Sequence, residues 1–369
     1  MIMVLFAILL TMNWVKNVQL SGLAVVGLLL LSVVQAPVAS AAGPGFNFNV
    51  SPPSVAIETI PGVPITVDIR LQNEGTTAEN VTTKLMKFTP QGESGVPDLR
   101  NLDAEDDFGK WAVISPATFT DEPNEWKTVR LTITPPKTAA FGYYYAIQFS
   151  RTDVSKLAER GKSNVIGALA SLVLLDVKAP GAVRKVNVTE FSTNSKILEF
   201  LPVDFNVRLN NIGNTHVGVR GNIAISKNGK QVGQIEVNSS KGYILPKSFR
   251  NFTTSWNDGK PVYVNQKDAI GKNILDNNGQ PIRKLSYDNF NTSKLRFGKY
   301  NARLVMIYND GKGDVSTEAR LTFWVIPWRI ILPIVFISLL VLAGAWAVFI
   351  RPAYRRLKKK QPTYEDRSR

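Results

Sequence analysis

Apolar and polar residues alternate without a break over Ile65-Thr-Val67-Asp-Ile69-Arg-Leu71, as they do in a strand with one face in a core and one in solvent. The same pattern returns 138 residues later in Val203-Asp-Phe205-Asn-Val207-Arg-Leu209. Short runs of this kind, punctuated by Pro, Gly and Asn, fill the chain from Phe46 to Val325, and no apolar stripe of helical period interrupts them. Ile166 to Val177 is apolar almost throughout and predicts a strand buried on both faces.

Two segments are apolar for longer than any strand. Leu20 to Val34 follows Lys16 and precedes Val38-Ala39-Ser40-Ala41, with small residues at the −3 and −1 positions of a cleavage site. This order predicts a secretory signal over residues 1–41, cleaved after Ala41 or retained as an uncleaved anchor. Residues 1–11 fit neither part of a signal, and Met12 offers an alternative start. Ile330 to Ile350 gives 21 residues without a charge, about 31 Å of helix, close to the thickness of a hydrocarbon core. Trp324 and Trp328 stand where interfacial aromatics stand, and Pro333 is expected in the first helical turn. A basic run from Arg351 to Lys360 follows at once, which places residues 351–369 on the cytoplasmic side and makes the chain a single-pass type I protein with its bulk outside.

The strand patterns repeat in order. Pro64 matches Pro202, and Asn73-x-Gly75 matches Asn211-x-Gly213. Gly142-x-Tyr144-x-Ala146 returns as Gly298-x-Tyr300-x-Ala302, with an offset of 156. The larger offset predicts an extra loop in the second copy, at Asn257 to Thr292, which is rich in Asn, Asp, Gly and Lys. The fold expected is therefore all-β: two tandem immunoglobulin-like β-sandwiches, residues 42–180 and 181–328, then a transmembrane helix over 329–350 and a basic tail.

Charge then changes meaning. The chain carries 44 Lys and Arg against 29 Asp and Glu, a formal net charge of +15 that first suggests nucleic acid. Residues 42–180, however, hold 13 basic and 16 acidic groups, residues 181–328 hold 21 and 11, and residues 351–369 hold eight and two. The excess lies in the membrane-proximal domain and the inner tail, which argues against nucleic acid; in that domain it is either a solvated surface, the usual meaning of dispersed lysines, or an attraction for anionic wall polymers or lipid headgroups. With no cysteine and one histidine, disulfides, thiolate chemistry and multi-histidine metal sites are excluded.

Candidate chemistry is sparse. His216 follows the second Asn-x-Gly turn without a Gly-x-Ser-x-Gly elbow to support nucleophilic catalysis, and reads as a strand-end residue. Asp103-Ala-Glu-Asp-Asp107, Asp276-Asn-Asn-Gly279 and Asn309-Asp-Gly-Lys-Gly-Asp314 lack the full calcium-loop order and read as a solvated acidic loop and two turns. Asn-x-Ser/Thr sequons at Asn80, Asn187, Asn238, Asn251 and Asn291 carry little weight in so asparagine-rich a chain. No catalytic residue, metal site or cofactor is expected. If Tyr144 takes the inward place of Tyr300, then Tyr143, Tyr145, Ile147 and Phe149 form an outward apolar row. That row is either shifted by a bulge, covered by another element, or a binding face in which Tyr143 and Tyr145 contact a glycan or protein.

Val50-Ser-Pro-Pro53, Ile60-Pro-Gly62, Arg70-Leu-Gln-Asn73-Glu-Gly75 and Thr132-Ile-Thr-Pro-Pro136 in the first copy give the chain a family look. So do Val207-Arg-Leu-Asn-Asn211, Ile244-Leu-Pro246-Lys-Ser248-Phe-Arg-Asn-Phe252 and Arg320-Leu-Thr-Phe-Trp-Val325 in the second. With the order signal, two sandwiches, helix and basic tail, the chain resembles the WxL-interacting proteins of Gram-positive cell envelopes. The resemblance implies peptidoglycan binding by the first domain and partner surface proteins for the second. Tyr143-Tyr-Tyr-Ala-Ile-Gln-Phe149 stands where that family has a Gly-rich segment. The function expected is a membrane-anchored surface binding or scaffold protein, not an enzyme. The rivals are an adhesin for another cell and a wall hydrolase using His216 or the acidic cluster around Asp106.

Overall fold

The computed structural model describes residues 47–152, 168–288, 294–352 and 354. The expected signal over 1–41, the sequon at Asn291 and nearly all of the tail over 351–369 lie outside them. The chain is all-β, built as two tandem immunoglobulin-like sandwiches followed by one apolar helix, and the described residues from Phe48 onward belong to one compact unit.

In the first sandwich, one sheet has the order β1 (Phe48–Ser51), β3 (Ile65–Asn73), β8 (Trp126–Ile133) and β6 (Ala112–Ser115). The facing sheet runs β2 (Ser54–Thr59), β10 (Ala168–Val177), β9 (Phe141–Arg151), β4 (Glu79–Gln91) and β5 (Val96–Arg100), with β7 (Thr118–Asp121) also on β4. The second sandwich repeats this plan. One sheet is β11 (Val186–Thr193), β13 (Val203–Asn211) and β17 (Ser248–Trp256). The other is β12 (Ile197–Leu198), β21 (Asp314–Val325), β20 (Gly298–Asn309), β14 (Val217–Lys227) and β15 (Lys230–Val237), with β16 (Tyr243–Ile244) on β14. In both copies the first strand of the larger sheet is parallel to its neighbour, β2 to β10 and β12 to β21.

The alternating strands do what their pattern requires. Val67, Ile69 and Leu71 of β3 enter the first core, and Val203, Phe205, Val207 and Leu209 of β13 enter the second. The two Asn-x-Gly turns are superposable in chemistry. Asn73 Nδ2 donates to the carbonyls of Thr77 and Asp121 at 2.8 and 2.9 Å, and its Oδ1 accepts from Gly75 N–H at 2.9 Å. Asn211 makes the same three bonds, to Thr215, Ile244 and Gly213, at 2.8, 2.9 and 2.9 Å. Each asparagine thus ties its strand end to two other segments, and both side chains are buried.

Two expectations need correction. Tyr144 does not take the place of Tyr300. The last residue of β10, Val177, pairs with Phe141, and the last of β21, Val325, pairs with Gly298. Phe141 is therefore the counterpart of Gly298, and both have positive φ, 68° and 103°. The true offset is one residue longer than the sequence match, and a one-residue slip exchanges the two faces of a strand. Tyr143, Tyr145, Ile147 and Phe149 form the inward row, matching Tyr300, Ala302, Leu304 and Met306. The helix starts at Trp328, one residue before the expected 329, and Pro333 lies in its second turn, not its first.

The described part of the extra loop of the second copy, Asn257 to Asp288, holds a two-stranded ribbon. It contains β18 (Val262–Asn265) and β19 (Arg283–Ser286), paired antiparallel and apart from both sandwich sheets. After the second sandwich, α1 (Trp328–Ala345) continues through a π-helical turn to Ile350. These 23 residues are long and apolar enough to cross a membrane, and none of them is buried against the rest of the chain.

Candidate functional site: the junction of the sandwiches

Tyr143 and Tyr145 do not form an outer binding face. Tyr145 has no exposed surface, and its hydroxyl donates to the Phe108 carbonyl at 2.9 Å. Tyr143 packs edge-on against Trp111, with ring centres 4.9 Å apart, and its hydroxyl accepts from Ala140 N–H. Both are core residues because the sheet phase points them between the two sheets. Burial raises the pKa of the Tyr145 phenol, as it does that of Tyr144.

The other face of the same strand carries the feature of interest. Tyr144, Ala146, Met86, Phe88 and Leu174 point away from the first core and would be an exposed apolar sheet face in an isolated sandwich. Leu245 and Tyr243 of the second sandwich cover it. His216, one residue before β14, stands between two tyrosines, with ring centres 5.8 Å from Tyr144 and 5.2 Å from Tyr243. Burial dominates its ionisation and lowers its pKa to about 4, against partial support for the cation from Asp176 and opposition from Arg184. A neutral imidazole packed edge-on between phenol rings is a structural residue here.

Charged groups close the same junction. The buried Asp176 carboxylate of β10 accepts from Arg184, which also lies 3.6 Å from Glu58. Glu58 pairs with Lys178 at 2.6 Å, and chiefly this bond holds its carboxyl below the usual range. Across the junction, Arg208 of β13 donates two bonds to Glu93 in the β4–β5 turn, at 2.8 and 2.6 Å. The Glu93 carbonyl accepts from Asn251 N–H at 2.8 Å. The connecting segment is gripped as well. Val183 N–H donates to Asn214 Oδ1 at 2.7 Å, and Asn214 Nδ2 donates to Gly181 O at 2.9 Å. A side chain on Gly213 would put its Cβ 2.1 Å from the Val183 carbonyl oxygen, so this approach needs glycine.

Between the β4–β5 turn and the β16–β17 segment lies a cleft of about 250 Å³. Phe88, Leu172, Leu174 and Leu245 make its floor apolar, and Val96 stands exposed on its rim. Arg250 enters it from the second sandwich. Its guanidinium occupies a slot in which a Cβ on either Gly95 or Gly242 would approach to 2.4 Å. It donates to the Tyr243 carbonyl at 2.5 Å and has no ion pair among the described residues. Burial holds its pKa below the usual arginine value. An apolar trough with a half-buried, acid-free guanidinium is suited to an extended partner that carries both apolar groups and an anionic one.

The remaining candidates have local duties. Lys87 pairs with both Asp103 and Asp106 at 2.6 Å, so the acidic cluster is engaged by a cation of its own. Asp310 Oδ1 accepts from Lys312 and Gly313 N–H, and Asp276 Oδ1 from Asn278 and Gln280 N–H, as turn residues do. Asn238 is buried and bonded to Val219 and Gly242. No group of three or more ligating side chains is placed to hold a metal among the described residues. The carboxylates whose charge reaches His216 are Asp176 and Glu58, not Asp106.

No family model matches this chain. No curated protein matches it either. Among solved structures it is similar to the class 5 fimbriae chaperone CfaA, at 14% identity over 74% of this chain and 98% of that one, with a TM-score of 0.36. It is also similar to the CsuC-CsuE chaperone-tip adhesion subunit complex of Acinetobacter baumannii, at 13% identity over 74% and 97%, TM-score 0.33. The CupB2 chaperone of Pseudomonas aeruginosa is similar at 11% identity over 74% and 100%, TM-score 0.31. Likeness this remote says nothing about what the junction cleft holds.

Proposed function

We propose that this chain is a membrane-anchored bacterial surface protein, of the kind the WxL-interacting family represents, that binds a wall-borne partner in the cleft between its two sandwiches. The observation that carries the reading is the junction itself. The second sandwich covers the apolar outer face of the first, and the covering leaves a cleft with Arg250 set into it. Two domains fixed in this way present one composite surface. The apolar helix supplies the anchor and the basic run after it the orientation, with the sandwiches outside. Tethering at the membrane raises the local concentration of the cleft at the inner face of the wall.

A hydrolase is poorly served by the same geometry. His216 is neutral and enclosed by Tyr144 and Tyr243, and Asp103 and Asp106 are paired with Lys87. The test uses the full chain in lipid nanodiscs, with purified wall sacculi and purified surface proteins as ligands and a zymogram alongside. Saturable binding that falls at least tenfold in Ser240→Trp, which fills the cleft from its exposed rim, supports the proposal. Clearing of the wall substrate, or binding unaffected by Ser240→Trp, overturns it.

A further inference from the structure

The inserted ribbon sits at the end of the second sandwich from which the helix departs. β12 runs parallel to the end of β21, Ile197 beside Trp324 and Leu198 beside Val325, and the chain continues from β12 to Leu201. Leu201 in turn bridges Val262 in parallel, with Tyr263 N–H donating to the Leu201 carbonyl at 2.8 Å. The ribbon therefore leaves the sandwich in the direction in which β21 runs into α1. One carboxylate marks how close the two are. Glu199 accepts from the Tyr263 hydroxyl at 2.9 Å on one oxygen and lies 3.3 Å from Arg329 on the other. The base of the ribbon is thus level with the first turn of the helix.

Beyond that base the ribbon carries apolar side chains into solvent. Ile270 is 86% exposed and Leu275 51%, with Val264, Ile274 and Ile282 also exposed. Among the described residues, none of these side chains belongs to a hydrophobic core. Cations flank them. Lys267, Lys272 and Lys284 have no ion pair among the described residues. The two acidic groups of the tip, also exposed, are engaged by their own turns, Asp268 Oδ1 accepting from Ile270 and Lys272 N–H and Asp276 Oδ1 from Asn278 and Gln280 N–H. Trp324 and Trp328, both exposed, continue the apolar surface to the helix.

We infer that this ribbon docks on the anionic outer surface of the bilayer, with Ile270 and Leu275 in the headgroup layer and Lys267, Lys272 and Lys284 on lipid phosphates. Exposed apolar tips with adjacent lysines are the chemistry of an interfacial anchor. The helix fixes distance to the membrane but leaves rotation about its axis free; a second contact stops that rotation and sets which way the junction cleft faces. This inference rests on α1 spanning the membrane.

The chain has no cysteine, so single reporters can be placed without background. The full chain is reconstituted in nanodiscs of phosphatidylcholine, with and without phosphatidylglycerol, and labelled with an environment-sensitive fluorophore at Ile270→Cys, Thr66→Cys or Leu340→Cys. Nitroxide lipids labelled at the headgroup or along the acyl chain serve as quenchers. The expected result is headgroup quenching at position 270 in anionic discs, none at position 66, and acyl-chain quenching at position 340. Half-molar salt, or Lys267→Glu with Lys272→Glu, should reduce quenching at 270 to the level in neutral discs while leaving 340 unchanged. No quenching at 270 while 340 remains quenched overturns the ribbon contact alone. Loss of quenching at 340 overturns the anchor and the ribbon contact with it.

Discussion

His216 is the chain's sole histidine, so one imidazole resonance reports on the junction. Lowering the pH from 7.5 to 3.5 is the perturbation. In the unfolded chain the imidazole takes up its proton near pH 6.5, whereas between Tyr144 and Tyr243 it resists until about 4. The unfolded state thus binds more protons throughout that interval, and the contribution of His216 to stability is intact above pH 6.5 and lost as the pH falls to about 4. A difference of about 2.5 pKa units corresponds to about 3 kcal/mol, an appreciable fraction of a domain's net stability. Because the ring lies at the junction, the loss should appear first as separation of the sandwiches, not as melting of either core. Carbon-13-labelled histidine in the full chain, followed by NMR across the titration, measures the midpoint directly. Hydrogen exchange of the connecting segment, Ala179 to Lys185, reports its opening and should lose protection below about pH 4.5. A midpoint near 6.5, with no protection of the connection at neutral pH, would refute the burial on which the junction depends.

Three other outcomes follow from the same structure. Asp121 is fully buried with neither carboxylate oxygen hydrogen-bonded among the described residues, and desolvation raises its pKa to about 6. Its folded state therefore binds more protons than the unfolded one between about pH 4 and 6, so stability falls by about 3 kcal/mol as the pH rises through that window. This slope opposes that of His216; Asp121→Asn should abolish it and leave the histidine slope visible in urea melts at a series of pH values. Asn211→Ala removes three buried hydrogen bonds and should cost about 2–4 kcal/mol in urea unfolding of the second sandwich, with Asn73→Ala doing the same to the first. A cost below about 1 kcal/mol would show that the turns do not depend on these side chains. Gly213→Ala must displace the Val183 carbonyl and should cost about 1–3 kcal/mol, read as faster proteolysis of the connection with unchanged cores.

Strand positions were legible because each half-buried strand writes its burial as alternation. Ile65 to Leu71 and Val203 to Leu209 face as their pattern requires, and the repeated Asn-x-Gly turns proved to be the same three hydrogen bonds. The register of β9 was not legible. Where both faces of a strand are covered, both rows are apolar and alternation vanishes, as in Tyr143-Tyr144-Tyr145-Ala146-Ile147. The glycine match then misled, because Phe141 rather than Gly142 adopts the positive φ of Gly298. The same loss of alternation was the one available signal for the junction, since a row that cannot face its own core must face something else. What it faces depends on Leu245 and Tyr243, about a hundred residues away in sequence, and no local pattern encodes that distance. Arg250 was missed for a similar reason. Its slot is made by Gly95 and Gly242 from different sandwiches, and neither glycine is unusual on its own.

Site-specific photo-crosslinking tests the central claim most directly. A benzophenone amino acid is placed at Val96, 50% exposed on the rim of the cleft, or at Val113, 65% exposed on β6 and outside the cleft. Each full-length protein is irradiated in nanodiscs with purified wall fragments and, separately, with purified surface proteins. Adducts from position 96 that are absent from position 113 and suppressed by Ser240→Trp are the result predicted. Adducts of equal yield from both positions, or from position 113 alone, would contradict a partner site between the sandwiches.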